Sequence, residues 1–257
     1  MMNRLEKIKF IRQKLANNKP SVGSWMQIPH SSIAEIIGQA GYDWVAIDME
    51  HGAISIQQLP DLFRALELGN TLPLVRLAHG HPKDCKQALD AGAGGVIVPM
   101  VESAEQLMIV RDACRWPPSG TRGVGFSRAN LFGKHFEAYR EEAQAPLLVA
   151  MIEKICAVDS LEDILAVDGL DAILIGPYDL SASMTITGQF EDPAFKAAMD
   201  RIRTLCFKSN TPCGIHVVMP EVDALKLRIK EGYKFIAYSI DSVFFNTSCI
   251  SPEVNFL

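Results

Sequence analysis

Short apolar runs recur along the chain, each followed by a polar or glycine-bearing turn and then an amphipathic stretch. The runs are VGSWMQ from Val22, WVAIDM from Trp44, LPLVRL from Leu72, GVIVPM from Gly95, LLVAMI from Leu147, DAILI from Asp171, CGIHVV from Cys213 and KFIAYSI from Lys234. Each is nearly continuous in apolar character rather than alternating. Strands covered on both faces, as in a parallel sheet, have this pattern. The intervening stretches carry helix signals. An N-terminal helix is expected over about residues 3–17. Ser32 and Glu35 are spaced as a capping box, with Ile33, Ile36, Ile37 and Ala40 on one face and Gly41 as the stop. Ser103 and Gln106 open another helix, with Leu107 and Val110 inward. Pro220 suits a first helical turn, Val222, Leu225 and Ile229 form its stripe, and Gly232 ends it.

Eight strand–helix units predict an α/β protein, a closed (β/α)8 TIM barrel occupying residues 1–257 as a single domain. An open doubly wound sheet is the alternative, but no G-x-G-x-x-G follows the first strand. One long irregular stretch, WPPSGTRGVGFSRANLFG at residues 116–133, separates the fourth and fifth strands. A glycine-rich loop of this length is expected to be functional or to form an interface. Its Gly120, Gly123, Gly125, Arg122 and Arg128 would suit an anion cradle, with a turn or subunit contact as the plainer reading.

Composition narrows the class. With 48% hydrophobic and 21% charged residues among 257, the chain can bury a sizeable core and is not a disordered type. A net charge of −5 argues against nucleic-acid binding through phosphate neutralisation. No apolar run is long enough for a membrane helix, and the N-terminal MMNRLEKIKFIRQKL lacks the apolar centre of a secretory signal. The six cysteines form no C-x-x-C pair and no zinc-ligand spacing, and most read as buried thiols of a cytoplasmic protein.

In such a barrel the chemistry sits at the C-terminal ends of the strands. The second strand ends in Asp48, Glu50 and His51, the third in Arg76, the fifth in Glu153, and the sixth runs into Gly176-Pro177-Tyr178-Asp179. Charge closing otherwise apolar strands needs a reason, because buried unpaired charge is costly. Glu153 and Asp179 form an oxygen-only pair suited to Mg²⁺ or Mn²⁺. Each would otherwise cap a helix or pair with a lysine. His51 is either a loop histidine or, beside Asp48 and Glu50, a base near neutrality. Arg76 either pairs with Asp90 or stabilises a developing enolate oxygen. His216, within a strand, reads as a satisfied core histidine.

The segments GSWMQ, DMEHG, LVRL, GVIVPMV, WPPSGTRGVG, MIE and GPYDLS, in this order, resemble the HpcH/HpaI family of class II pyruvate aldolases over about Val22 to Asp241. The resemblance implies a (β/α)8 barrel of the phosphoenolpyruvate/pyruvate-binding type. It implies a divalent ion (Mg²⁺, Mn²⁺ or Co²⁺) and reversible cleavage of a 4-hydroxy-2-keto acid, of the 2-keto-3-deoxy type, into pyruvate and an aldehyde. It implies His51 as general base, Arg76 as transition-state stabiliser, and Glu153 and Asp179 as metal ligands. Asp90 falls at the position of the acid that raises the histidine's basicity, not necessarily from the same subunit. The backbone of Gly176, Pro177 and Tyr178 would face the substrate carboxylate. A homo-oligomer, trimer or hexamer, is implied as well.

Three departures stand out. Met151 replaces a glutamine that the family often carries two residues before the metal Glu. Tyr178 replaces a small residue before the metal Asp. The last segment, SVFFNTSCISPEVNFL, is short and weakly helical. Met151 shares strand parity with Glu153, so it points into the mouth as a dry pocket wall or packs one layer below it. The competing readings are a condensing enzyme of the same family, of the siderophore citrate synthase type, using an acyl donor; a Schiff-base aldolase on Lys154; and a sensor barrel with a relict site.

Overall fold

In the computed structural model, which describes residues 2–251, eight parallel strands close into a barrel in sequence order. They are β1 (Ser21–Met26), β2 (Trp44–Asp48), β3 (Leu72–Arg76), β4 (Gly95–Val98), β5 (Leu147–Ile152), β6 (Ala172–Ile175), β7 (Cys213–Val217) and β8 (Phe235–Ile240). Closure is made by β8 on β1, with Ser21 opposite Phe235 and Val22 opposite Ile236. The open-sheet alternative is thereby excluded.

Strand parity sorts the core into two. Trp44, Ala46, Leu74, Val149, Met151, Leu174 and Ala237 fill the barrel, while Val45, Ile47, Val75, Ala150, Ile173 and Ile236 pack outward against the helices. Trp44 stacks on Phe235 with centroids 4.3 Å apart. Burying each such aromatic contributes roughly 1.5–3 kcal/mol. Glycine at position 23 is what makes room: a Cβ there would lie 2.1 Å from the Trp44 ring.

One end of the barrel is plugged. The N-terminal helix, Arg4–Ala16, starts with a capping box between Asn3 and Glu6 and adds Ile8, Ile11 and Leu15 to the interior cluster. Lys14 Nζ lies 2.6 Å from Asp43 Oδ2, and Arg12 Nε 2.6 Å from Asp171 Oδ1. Asp43 and Asp171 immediately precede β2 and β6, so this helix covers the end where strands begin. The opposite end, where they finish, is the open mouth.

Several local expectations change. The second helix, Ser31–Gly38, is capped by His30, whose Nδ1 accepts the Ser32 N–H at 3.2 Å, and not by Ser32 with Glu35. Ala34 and Ile37 are buried, while Ile36 is 67% exposed on a surface hollow that Ile33, Ile37 and Ala40 also line. Gly41 (φ +87°) lies beyond the helix end rather than at it. Pro220 precedes the helix Val222–Lys230, and Val222 is exposed. Ser103 does cap its helix through the Gln106 N–H, with Leu107 and Val110 buried. Cys85, Cys114, Cys206 and Cys213 are buried, whereas Cys156 and Cys249 are exposed. The last helix spans Asp241–Ser248, and residues 252–257 of the final segment lie outside the described residues. No described helix is long and apolar enough to cross a membrane.

The long loop holds a single 3-10 turn, Arg128–Asn130. Arg122 is buried against the Trp116 and Tyr139 rings, with Nη2 donating to the Tyr139 hydroxyl at 2.9 Å. Arg128 bonds to Glu67 at 2.6 Å and to the Ala91 carbonyl at 3.0 Å. Arg128 is thus engaged within the fold, whereas Arg122 keeps Nε and Nη1 buried without a hydrogen-bond partner.

Candidate active site

At the mouth, parallel pairing sets Asp48 opposite Arg76. With both side chains inward, the carboxylate meets the guanidinium fork: Arg76 Nε donates to Oδ1 at 2.9 Å and Nη2 to Oδ2 at 2.6 Å. Arg76 therefore pairs with Asp48, correcting the Asp90 alternative. Its Nη1 also lies 2.8 Å from Glu50 Oε2, an ion pair whose angles do not make a hydrogen bond. The guanidinium carbon lies 5.2 Å from the Trp25 ring. Burial works to raise the Asp48 pKa, but hydrogen bonds and charge from Arg76, with help from Gln27 and the His51 amide, hold it down to about 2.

Asp48 is also the hub of its own loop. Its Oδ1 accepts the backbone N–H groups of Glu50 and His51 at 3.0 and 3.1 Å. The contact to His51 is thus to the backbone rather than to the ring, and the His51 side chain is left at the exposed rim. Gln27 Nε2 donates to Asp48 Oδ2 at 2.9 Å. The buried Asp241 carboxylate in turn accepts the Gln27 and Ile28 amides at 2.9 and 2.8 Å. Gln27 and Asp241 join the site without a motif of their own in the sequence. The parity that places Trp25 inward also places Gln27 inward, and Asp241 closes the apolar β8 as Asp48 and Glu153 close β2 and β5.

Glu153 follows β5 and is 2% exposed. Its Oε2 accepts the Met100 amide at 2.8 Å, which is aimed there by a left-handed Met100 (φ +52°). Position 176 must be glycine for this carboxylate to fit, since a Cβ would lie 2.7 Å from Glu153 Oε1. Burial pushes the Glu153 pKa up to about 7, the Glu50 and Asp179 charges adding to it against the Met100 hydrogen bond. Glu50 is raised as well, by burial first, with Asp48 and Asp179 contributing and Arg76 and His51 opposing. Asp179 stands exposed in the first turn of the helix Pro177–Ser183.

The Asp179 charge thus works against ionisation of both Glu153 and Glu50. Among the described residues no three His, Cys, Asp or Glu side chains converge as a closed metal site. Two carboxylates with the remaining positions left to water and substrate fit a hard divalent cation of the Mg²⁺ kind.

The other expected residues fall in distinct places. Met151 is 4% exposed and belongs to the interior cluster, forming the floor beneath Glu153. Pro177 occupies the first turn of its helix, and Tyr178 is 55% exposed with its ring edge-on to Phe190 at 5.0 Å. Asp90 lies at the last turn of the helix Pro82–Ala91, on the outside of the barrel near Arg122 and Lys86, away from His51. Lys154 pairs with Glu102, a bond that raises its pKa. A groove of about 550 Å³ near the plugged end includes Arg4, Arg128, Glu67 and Glu142, which neutralise one another. The reactive constellation is therefore at the mouth.

Fold and site together define a closed parallel barrel with an acidic rim beside an arginine pinned by Asp48. Residues 21–248 match the family described as HpcH/HpaI aldolase/citrate lyase. The chain is 35% identical over 233 residues to a hydroxypyruvate/pyruvate aldolase of Roseobacter denitrificans, covering 90% of each. It is 37% identical over 227 residues to a 4-hydroxy-2-oxovalerate aldolase of Novosphingobium aromaticivorans, covering 87% of this chain and 85% of that one. A solved HpcH/HpaI aldolase/citrate lyase family structure from Burkholderia cenocepacia superposes with a TM-score of 0.87 at 30% identity, covering 93% of this chain and 95% of that one. The chain belongs to the HpcH/HpaI aldolase/citrate lyase family.

Proposed function

We propose that the protein is a divalent-metal-dependent class II aldolase that reversibly cleaves a 4-hydroxy-2-keto acid into a pyruvate-type keto acid and an aldehyde. The observation that carries this is the buried Glu153 carboxyl, held near neutrality beside Asp179 and Glu50 and facing the fixed Arg76 guanidinium. Aldolase relatives support the same reading, including one named for both pyruvate and hydroxypyruvate.

Glu153 and Asp179 would hold Mg²⁺, Mn²⁺ or Co²⁺. When bound, such an ion draws electron density from a keto oxygen and so acidifies the adjacent methyl group. Arg76 keeps N–H groups beyond the two given to Asp48, and these stabilise the oxygen on which negative charge develops. The Asp48 clamp fixes their direction before substrate arrives. His51 takes a methyl proton in the condensation direction. The released electron pair forms the new C–C bond to the aldehyde carbon, and the aldehyde oxygen takes up a proton to become the 4-hydroxyl. Cleavage runs these steps backwards. The backbone of Gly176, Pro177 and Tyr178 lies beside the substrate carboxylate, and Met151 closes the floor.

Asp90 can support His51 only from a second copy of the chain, so this part of the reading requires a homo-oligomer, trimer or hexamer. The exposed Val124, Phe126 and Phe132 of the long loop favour self-association. Lys154 stays charged against Glu102 and is a poor imine former, which argues against the Schiff-base route. A reducing, cytoplasmic setting suits the unpaired cysteines.

The test is to incubate the Mg²⁺- or Mn²⁺-loaded protein with pyruvate and panels of aldehydes and acyl donors, and to identify products by mass spectrometry. A 4-hydroxy-2-keto acid is expected. Products from acyl donors alone would transfer the chain to the condensing-enzyme branch.

A further inference from the structure

His216 sits at the mouth in a way that core packing does not require. It is the one residue of β7 that keeps partial exposure. It shares the inward parity of Gly214, and its ring lies on Trp25 with centroids 5.1 Å apart. Its Nε2 is 3.2 Å from the Ser239 carbonyl oxygen. An inward residue backed by Trp25 and β8 has only the mouth left to be exposed to.

The contact with Ser239 settles the tautomer. A carbonyl oxygen has no proton to give, so Nε2 carries the hydrogen and Nδ1 presents a lone pair. The carbonyl is free for this because Ser239 stands where the β1–β8 register shifts: Gly23 is opposite Ala237, but Trp25 is opposite Ile240. Ser239 holds a left-handed conformation (φ +55°) that a non-glycine residue adopts at a cost, as at functional sites. Nδ1 has no hydrogen-bond partner among the described residues and is not among the buried atoms. Burial, with Arg76 nearby, pushes the imidazole pKa down to about 4, so the lone pair stays bare at neutral pH.

We propose that His216 Nδ1 accepts a hydrogen bond from a hydroxyl group of the substrate, making this residue a determinant of specificity for hydroxylated reactants. The inference rests on the aldolase reading above and extends it to substrate class. A ligand hydroxyl can donate to Nδ1. A carboxylate or keto oxygen in its place would set lone pair against lone pair. The hydroxyl can belong to the aldehyde or to C3 of the keto acid.

Two arms separate these sources in the Mg²⁺-loaded protein. With pyruvate as nucleophile, kcat/KM is compared for glycolaldehyde and methoxyacetaldehyde, which cannot donate. With acetaldehyde as electrophile, it is compared for hydroxypyruvate and pyruvate. At least one arm should favour the free hydroxyl by roughly 3- to 10-fold, the worth of one accessible hydrogen bond. His216→Phe, which keeps a ring against Trp25, should remove that preference. The two wild-type arms need no variant, so flat ratios in both overturn the proposal even if His216→Phe misfolds. In protein carrying ¹⁵N-histidine, the Nδ1 resonance absent from His216→Phe should shift with the preferred ligand and not with its non-donating analogue. No preference in either arm, or a preference that persists in His216→Phe, overturns the proposal. Solvent-deuterium exchange into pyruvate alone tests the parent reading: its absence sinks the aldolase assignment, while its presence with flat ratios sinks only the role of His216.

Discussion

Removing the cation should turn Glu153 into a pH-dependent liability. Its carboxyl moves from an ordinary 4.5 to about 7 in the fold. That difference corresponds to roughly 3 kcal/mol. Because the folded value is the raised one, the associated stability is fully present below 4.5 and is lost as pH rises through 7. Between pH 6 and 8 the chelated protein should therefore lose roughly 1 kcal/mol. For a chain of this size each kcal/mol moves Tm by ~2–4 °C. The assay is thermal unfolding of EDTA-treated protein at both pH values, beside Glu153→Gln. The wild type should melt lower at pH 8, and Glu153→Gln should show no such step. Adding Mg²⁺ should raise the wild-type Tm more at pH 8 than at pH 6, since the ion competes with a proton for the same oxygens. A wild-type Tm that is flat between pH 6 and 8 and indifferent to Mg²⁺ would refute the reasoning.

Four further outcomes are expected. Asp48→Asn, which strips the buried Arg76 of its carboxylate, should cost roughly 3–5 kcal/mol in denaturant unfolding and impair turnover. In the wild type the Asp48 value lies below the usual 3.8, near 2, so its contribution is present above pH 3.8 and should fade by roughly 2 kcal/mol as pH falls toward 2. His51→Ala should lower pyruvate methyl exchange by roughly 10²-fold or more while leaving Mn²⁺ binding by EPR intact; near wild-type exchange would shift the base to Glu50. Met151→Gln should raise kcat/KM for polar over apolar aldehydes by roughly 1–3 kcal/mol if the floor touches substrate. An unchanged ratio in folded, metal-binding protein would assign Met151 to packing.

The barrel was legible because eight apolar runs without alternation leave few arrangements other than a parallel sheet covered on both faces. Strand parity then placed Met151 and Glu153 on the inside, and charge closing apolar strands drew attention to Asp48, Arg76 and Glu153. Partners were less legible. Whether Arg76 meets Asp48 or Asp90 depends on the β2–β3 register, which sets Asp48 beside it and leaves Asp90 on an outer helix. The His30 cap was hidden because a histidine side chain can substitute for the serine that the capping pattern singles out. His216 looked like core because its strand is apolar; its access to the mouth comes from the irregularity at Ser239, which carries no local sequence signal beyond a serine in an apolar strand.

With a cation on Glu153 and Asp179 and with Arg76 in place, His51 should take a methyl proton from pyruvate without any second substrate. Proton NMR of pyruvate in D₂O with the Mg²⁺-loaded protein reads this directly. The methyl signal should decay, stop decaying after exhaustive chelation, and resume when Mg²⁺ is restored. Exchange that continues unchanged in metal-free protein, or no exchange in the loaded protein, would contradict the account.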